Sequence, residues 1–249
     1  MTLWRLERLR LIRTYRWMAL FGVYLVFGLL GPLMAKYLPD ILTRVQSEMT
    51  IIVPPPQPKD GIVNYVGQVT QTGVIVVVAV AAGTLAFDAH PGISTFLRTR
   101  TRSMWSLLRP RVGVILAAVV LAYAIGTFAA WYGTALLLGP LPAGPVFAGL
   151  LCAAVYLAFV VAVVTAATAL TRSALGTVGI ALSALLLMSI IDGLGVLHDW
   201  MPSTLAGAPA ELLATGNSLT DYIPALAVAI VGGALIMMAA VRRLDRREV

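Results

Sequence analysis

Six stretches of the sequence are each long enough and apolar enough to cross a lipid bilayer as a helix. A spanning helix needs about 20 consecutive, mostly apolar residues. Stretches of this kind lie at about 17–35, 66–87, 112–131, 146–170, 174–197 and 222–241. Hydrophobic residues make up 59% of the 249 residues and charged residues only 12%, which is more apolar surface than a soluble domain of this size can bury. The sequence therefore predicts an all-α, polytopic membrane protein with a single transmembrane domain over 1–249.

The basic residues alternate between the two sides of the predicted spans. Five precede the first span, five lie between the second and third, one follows the fourth and four follow the sixth, which puts 15 on one side. The other side has only three, Lys36, Arg44 and Lys59. Because basic residues accumulate on the cytoplasmic side of membrane proteins, both termini are predicted to be cytoplasmic. The net charge of +7 is then an orientation signal, and nucleic acid is not expected as a partner.

Side chains that could carry out catalytic or metal chemistry are few. The chain has one cysteine, Cys152, and two histidines, His90 and His198, neither of them within the middle of a predicted span. Zinc sites use several such ligands at fixed spacing, and the sequence contains neither an HExxH motif nor the GxxxxGK motif of a phosphate-binding loop. We therefore expect no catalytic residue, no metal site and no cofactor in this chain.

Asp192 is the one carboxylate inside a predicted span. Ionisable residues at membrane depth are costly and commonly functional. Asp192, however, lies near the outer end of its span, six residues before His198. Two interpretations stay open: a hydrated carboxylate at the interface, or a polar residue that lines an exit path.

The segment between the second and third spans has an amphipathic pattern. Ile93, Phe96 and Leu97 recur at helical spacing, and three arginines follow them: Arg98, Arg100 and Arg102. Such an element either lies flat on anionic lipid or docks into a groove of a cytoplasmic partner. Both interpretations are compatible with the pattern.

Two further segments are predicted to lie at the membrane surface. Residues 2–16 are basic and have a narrow apolar stripe, Trp4, Leu11 and Tyr15, which Arg8 interrupts. Residues 205–213 are apolar but too short to span, so we expect short extracellular re-entrant or surface helices there, before the last span.

The order of these features resembles the membrane-spanning permease of type-2 ATP-binding-cassette (ABC) exporters along essentially the whole chain. The resemblance rests on the sequences RTYRW at 13–17, GLLGPL at 28–33, GISTFL at 92–97 and RRLDRR at 242–247. Many members carry an acidic-basic run followed by glycine and threonine after the second span. This chain has one carboxylate there, Asp88, before His90 and Gly92.

The resemblance implies a permease that pairs with a second copy or a paralogue and binds two copies of a separate ATPase subunit, which hold ATP and magnesium. It implies that spans 1, 2 and 5 line the path and that the elements at 205–213 gate its outer end. The coupling helix that contacts the ATPase would contain Gly92, Ile93, Ser94, Thr95, Phe96, Leu97, Arg98, Arg100 and Arg102.

The expected cargo is hydrophobic or amphipathic, such as a drug, a lipid or a peptide, because the predicted spans have no charged residue at mid-depth. Lysine occurs only twice among 18 basic residues, a bias typical of GC-rich bacterial genomes, so the expected location is a bacterial plasma membrane. Two alternatives stay open: a stand-alone transporter, channel or membrane anchor, and a polytopic membrane enzyme.

Overall fold

The computed structural model describes residues 3–45, 55–85, 104–171, 173–195, 197–216 and 218–246. All regular structure within these residues is helical. The α-helices are α1 (Leu3–Arg13), α2 (Arg16–Val45), α3 (Pro58–Gln68), α4 (Val74–Leu85), α5 (Met104–Leu137), α6 (Ala143–Thr168), α7 (Ala174–Gly193), α8 (Thr204–Ala214) and α9 (Ile223–Asp245). A π-helical turn, Val69–Gly73, joins α3 to α4, and 3-10 turns lie at His198–Trp200 and Leu219–Tyr222.

Six of these helical segments are long and apolar enough to cross a membrane. They are α2, the continuous helix formed by α3, the π-helical turn and α4, and then α5, α6, α7 and α9. The prediction of an all-helical fold with six membrane-crossing helices is therefore confirmed for the described residues.

The second long helix begins earlier than apolarity alone suggests, at Pro58 rather than near residue 66. Its start is set by a capping box, in which the backbone N–H of Gln57 donates to Asp60 at 2.7 Å. Pro58 stands at the first helical position, where its missing N–H costs nothing. The helix consequently has 28 residues, Pro58–Leu85, and includes a polar stretch near its middle.

The first three long helices cross closely at glycines. A Cβ on Gly126 of α5 would lie 2.6 Å from the carbonyl oxygen of Tyr24, and one on Gly31 of α2 would lie 2.8 Å from the carbonyl oxygen of Gly61. Small residues let membrane helices approach in this way. At the same level the Tyr65 hydroxyl donates to the carbonyl oxygen of Tyr123 at 3.2 Å, which links α3 to α5.

Helix α6 is the central helix around which the second half of the chain packs. In its most apolar window 61% of the residues are buried, compared with 17% for α7. It contacts α4, α5, α7, α8 and α9. Much of the surface of α7 is therefore open to lipid or to another chain.

The described charges divide between the two ends of the bundle. One end, which we call the basic pole, contains α1 and the ends of the long helices that adjoin it, with ten arginines and two carboxylates: Arg5, Arg8, Arg10, Arg13, Arg16, Arg109, Arg111, Arg242, Arg243 and Arg246, and Glu7 and Asp245. The opposite end, the acidic pole, carries six described carboxylates and two lysines: Asp40, Asp60, Asp192, Asp199, Glu211 and Asp221, and Lys36 and Lys59.

Candidate functional site

A cavity of about 310 Å³, which we call the central cleft, lies between the π-helical turn, α4, α6 and α7. Thr70 and Gln71 contribute to its wall at the middle of the Pro58–Leu85 helix. The other polar contributors are Tyr156, Ser189 and Ser203, and the apolar ones are Val74, Ile75, Leu182, Leu185, Leu186 and Met188. The central cleft thus combines an apolar wall with hydroxyl groups and one carboxamide.

The π-helical turn decides which side chains face the central cleft. Its two outer residues, Val69 and Gly73, are buried, and Gly73 packs against the ring of Tyr24. The three residues between them, Thr70, Gln71 and Thr72, are all exposed, and two of them, Thr70 and Gln71, line the central cleft. Turns of this kind are frequently found at functional sites.

The exposed polar residues of the π-helical turn lie near the middle of a membrane-crossing helix, where side chains that face lipid are normally apolar. Gln68 is exposed as well, so two carboxamides and two hydroxyls are presented near the middle of a membrane-crossing helix. An amide transferred into hydrocarbon without a hydrogen-bond partner costs about 2–7 kcal/mol. We therefore expect water or another protein chain, and not lipid, to cover this surface.

This polar surface was not predicted from the sequence, in which residues 66–87 were assigned to the second span without a polar site in it. The signal was available as the run from Gln68 to Thr72, which has four polar residues between two apolar stretches. The sequence does not show the π-helical turn, from which Thr70 and Gln71 reach the central cleft.

Asp192 lies at the end of α7 that faces the acidic pole and is hydrogen-bonded on both oxygens. The Ser203 hydroxyl donates to Oδ2 at 2.7 Å, and Nδ1 of His198 lies 2.7 Å from Oδ1. Ser203 also lines the central cleft, so the carboxylate is connected to the cleft through one hydroxyl. In this trio the carboxylate lies between the hydroxyl and the imidazole, whereas in a serine–histidine–aspartate triad the histidine lies in the middle.

Helix α8 packs beside the central cleft near the acidic pole. Leu205 and Ala208 are fully buried, and Pro209 contacts α6 so closely that a Cβ on Gly149 would overlap its backbone. The Tyr222 hydroxyl, just before α9, donates to Glu211 Oε2 at 2.6 Å. The segment predicted at 205–213 is thus a helix that packs deeply against α6.

The basic pole holds α1 against α5 through a buried ion pair. Nε of Arg111 donates to Glu7 Oε1 at 2.8 Å, and the two side chains are 8% and 5% exposed. The Trp4 ring lies on Gly113, where a Cβ would overlap it. Nearby, Arg16 at the start of α2 donates to the Thr84 hydroxyl at 3.2 Å.

The contact of Arg16 with Thr84 lies just before the segment 86–103, and the Glu7–Arg111 pair lies after it. Leu85 before it is fully buried. After it, Leu107 and Leu108 pack with Ala169, Ala240 and Leu244. The predicted coupling residues themselves lie outside the described residues: Gly92, Ile93, Ser94, Thr95, Phe96, Leu97, Arg98, Arg100 and Arg102.

Among the described residues, no three histidine, cysteine, aspartate or glutamate side chains lie close enough together to hold a metal ion. Cys152 is buried within α6. Comparison of the chain with protein-family models, with curated proteins and with solved structures found no match.

Proposed function

We propose that this chain is the membrane-spanning subunit of an ATP-driven ABC exporter, paired with a second copy or a paralogue and coupled to a separate ATPase subunit. The observation that carries the proposal is the central cleft, a cavity of about 310 Å³ lined by three of the membrane-crossing helices, together with Ser203. Its apolar wall suits a hydrophobic cargo, and Thr70, Gln71 and Ser189 suit a cargo that also carries hydrogen-bonding groups. A drug, a lipid or a peptide of amphipathic character has both properties.

The charge distribution supports an orientation. Ten described arginines lie at the basic pole, and such an excess favours the cytoplasmic side. In the proposed arrangement both termini are cytoplasmic, in the plasma membrane of a bacterium. Helix α1 is then the interfacial helix: it exposes Leu6, Leu9 and Ile12, and an apolar surface at the end of a bundle is suited to the lipid headgroup region.

The coupling segment follows from the same orientation. Residues 92–102 connect two helix ends that pack firmly at the basic pole, through Thr84 and Leu85 on one side and Leu107 and Leu108 on the other. A force on this segment would therefore reach α4 and α5 directly. ATP, with magnesium, would act in the partner subunit by binding its closed state more tightly than its open state, which biases the permease between two conformations.

Helix α8 is the proposed outer re-entrant gate. It precedes the last span, it is held against α6 at Gly149, and the residue before it, Ser203, lines the central cleft. A shift of α8 would change the outer wall of the cleft. Asp192, which accepts the hydrogen bond from Ser203, would move with that wall and serve as a polar residue of the exit path.

The proposal is tested by purifying the tagged chain from its native membrane in a mild detergent. We expect an ATPase subunit with a phosphate-binding loop to co-purify and its hydrolysis rate to respond to the permease. Reversal of charge at Arg98, Arg100 and Arg102 should reduce both the recovery of the ATPase and ATP-dependent transport in vesicles. The matched control reverses Arg5, Arg8 and Arg13, which are exposed at the same pole but lie outside the coupling segment.

The proposal fails if no ATPase is recovered and the coupling-segment variant transports as well as the unmodified chain. Transport that persists in vesicles without ATP or an ATPase would instead identify a stand-alone transporter.

A further inference from the structure

A second cavity, of about 350 Å³, lies at the basic pole between the start of α5 and the end of α9. We call it the α5–α9 groove. Its lining residues are Trp105, Ala234, Met237, Met238, Val241 and Arg242. None of them lines the central cleft, and the proposed export function assigns them no role.

The groove has an apolar part and a cationic part. Ala234, Met237, Met238 and Val241 form a wall on α9 with no hydrogen-bonding side chain, and methionine side chains adapt to flexible ligands. Arg242 stands one turn further toward the end of α9 and is exposed. A ligand that fits both parts has an apolar chain and an anionic head.

The position of the groove indicates which ligand with an apolar chain and an anionic head it binds. It opens at the end of two membrane-crossing helices, the level at which phospholipid headgroups lie. Trp105 is 44% exposed there, and tryptophan is enriched at this interface. The described charges at this end of α9 are mainly positive, with Arg243 and Arg246 beside Arg242 in the sequence and with one carboxylate, Asp245.

We propose that the α5–α9 groove binds one anionic phospholipid of the surrounding membrane. Its phosphate accepts hydrogen bonds from the Arg242 guanidinium, which matches phosphate oxygens with two parallel donors. One acyl chain lies against Met237 and Met238 beside the Trp105 ring. Basic grooves between helices on the cytoplasmic side of membrane proteins bind anionic headgroups in this way.

The site has a structural consequence for its neighbourhood. Trp105 belongs to the first turn of α5, directly after the segment 86–103. On its other side the same turn is held by Leu107 and Leu108 against α9. A bound lipid would add a contact between α5 and α9 at this point and stabilise the helix ends that carry the segment.

The test compares lipids that differ only in their headgroup. The full-length chain is purified in a mild detergent, freed of lipid, and titrated with phosphatidylglycerol or with phosphatidylcholine of the same acyl chains. Native mass spectrometry counts the bound lipids, and the midpoint of thermal unfolding reports stabilisation. We expect phosphatidylglycerol to bind more tightly and to raise the unfolding midpoint more than phosphatidylcholine does.

Two variants and a control locate the effect. Arg242→Gln should weaken phosphatidylglycerol binding about five- to tenfold, the effect of removing one basic residue at a membrane surface. Ala234→Phe keeps every charge and fills the groove, so it should abolish the preference as well. Arg246→Gln is the control, because it removes an exposed arginine from the end of α9 that does not line the groove.

Three results would overturn the proposal. The first is equal binding of the two lipids by the unmodified chain. The second is a loss of phosphatidylglycerol affinity in the Arg246→Gln control as large as that in Arg242→Gln. The preference would then follow from general attraction between the arginines and the anionic headgroup. The third is binding of free glycerol phosphate as tight as that of phosphatidylglycerol, because the acyl chain would then contribute nothing.

Discussion

Replacing Glu7 by glutamine is expected to release α1 from the start of α5. In the intact pair the Glu7 carboxylate lies 2.8 Å from Nε of Arg111, and both side chains are more than nine-tenths buried. Two unit charges about 3 Å apart interact by about 5–6 kcal/mol at an effective dielectric constant of about 20. Desolvation offsets much of this for the intact pair, but removing one charge of a buried ion pair costs about 3–5 kcal/mol.

This free energy applies first to the docking of α1, because the pair joins α1 to the start of α5. At 1.4 kcal/mol for each factor of ten, a loss of about 3 kcal/mol raises the undocked population of α1 about 100-fold. Undocking also removes the Trp4 ring from Gly113. We therefore expect a local effect on α1, with a small change in the unfolding midpoint of the whole chain.

Hydrogen–deuterium exchange read by mass spectrometry measures the prediction directly. Amides of Leu3–Arg13 should exchange about 100-fold faster in the Glu7→Gln variant, because local opening determines their protection. Arg10→Gln is the matched control: its guanidinium is 4.0 Å from Glu7 and 39% exposed, and exposed pairs contribute less than about 1 kcal/mol. Removing the charge from Arg111 as well should restore part of the protection.

The reasoning is wrong if α1 exchanges at the same rate in the Glu7→Gln variant and in the unmodified chain. It is equally wrong if the Arg10→Gln control produces an increase of the same size, since the effect would then follow net charge and not the buried pair.

Three further predictions concern the bundle and the central cleft. Gly126→Ala should lower the unfolding midpoint, because its Cβ would lie 2.6 Å from the carbonyl oxygen of Tyr24 and overpacking costs about 1–3 kcal/mol; Gly22→Ala, with open space around the Cβ, should not lower it. Gln71→Leu should reduce transport of a hydrogen-bonding cargo in vesicles by about tenfold, the cost of one lost hydrogen bond, with the unfolding midpoint unchanged. Asp192→Ala removes the acceptor of two hydrogen bonds of 2.7 Å and should increase proteolytic cleavage at the α7–α8 connection, and equal cleavage in both proteins would contradict it.

The six membrane-crossing helices could be predicted from the sequence because the property that defines them is local. About 20 apolar residues are sufficient for a helix to cross the bilayer, since every backbone hydrogen bond is then made within the segment. The separation of charges between the two poles could also be predicted, because it depends only on the order of the segments along the chain. The helix over 204–214 was also expected, from an apolar run too short to span.

The contacts that organise the basic pole could not be predicted in this way. Glu7 and Arg111 are 104 positions apart, and no periodicity relates them. On the N-terminal segment the structure buries Leu11 and leaves Trp4 48% exposed and Tyr15 71% exposed. Glu7, one turn before Leu11, is buried as well. The pattern of one helix cannot predict the burial of a carboxylate, because its ion-pair partner Arg111 belongs to another helix.

The polar surface around Gln71 separates the possible functions of the bundle on physical grounds. Four polar side chains are exposed near mid-depth of one helix, Gln68, Thr70, Gln71 and Thr72, and each would lose its hydrogen bonds to water if lipid covered it. Their summed cost would be comparable with the whole stability of a folded chain, about 5–15 kcal/mol. A membrane anchor has no need of such a surface, whereas a water-filled path or a contact with a second protein chain would cover it with hydrogen-bonding partners. Because Thr70 and Gln71 border a cleft against α7, the least covered of the long helices, water in the cleft can satisfy these two side chains, and a second chain beside the bundle can satisfy the others.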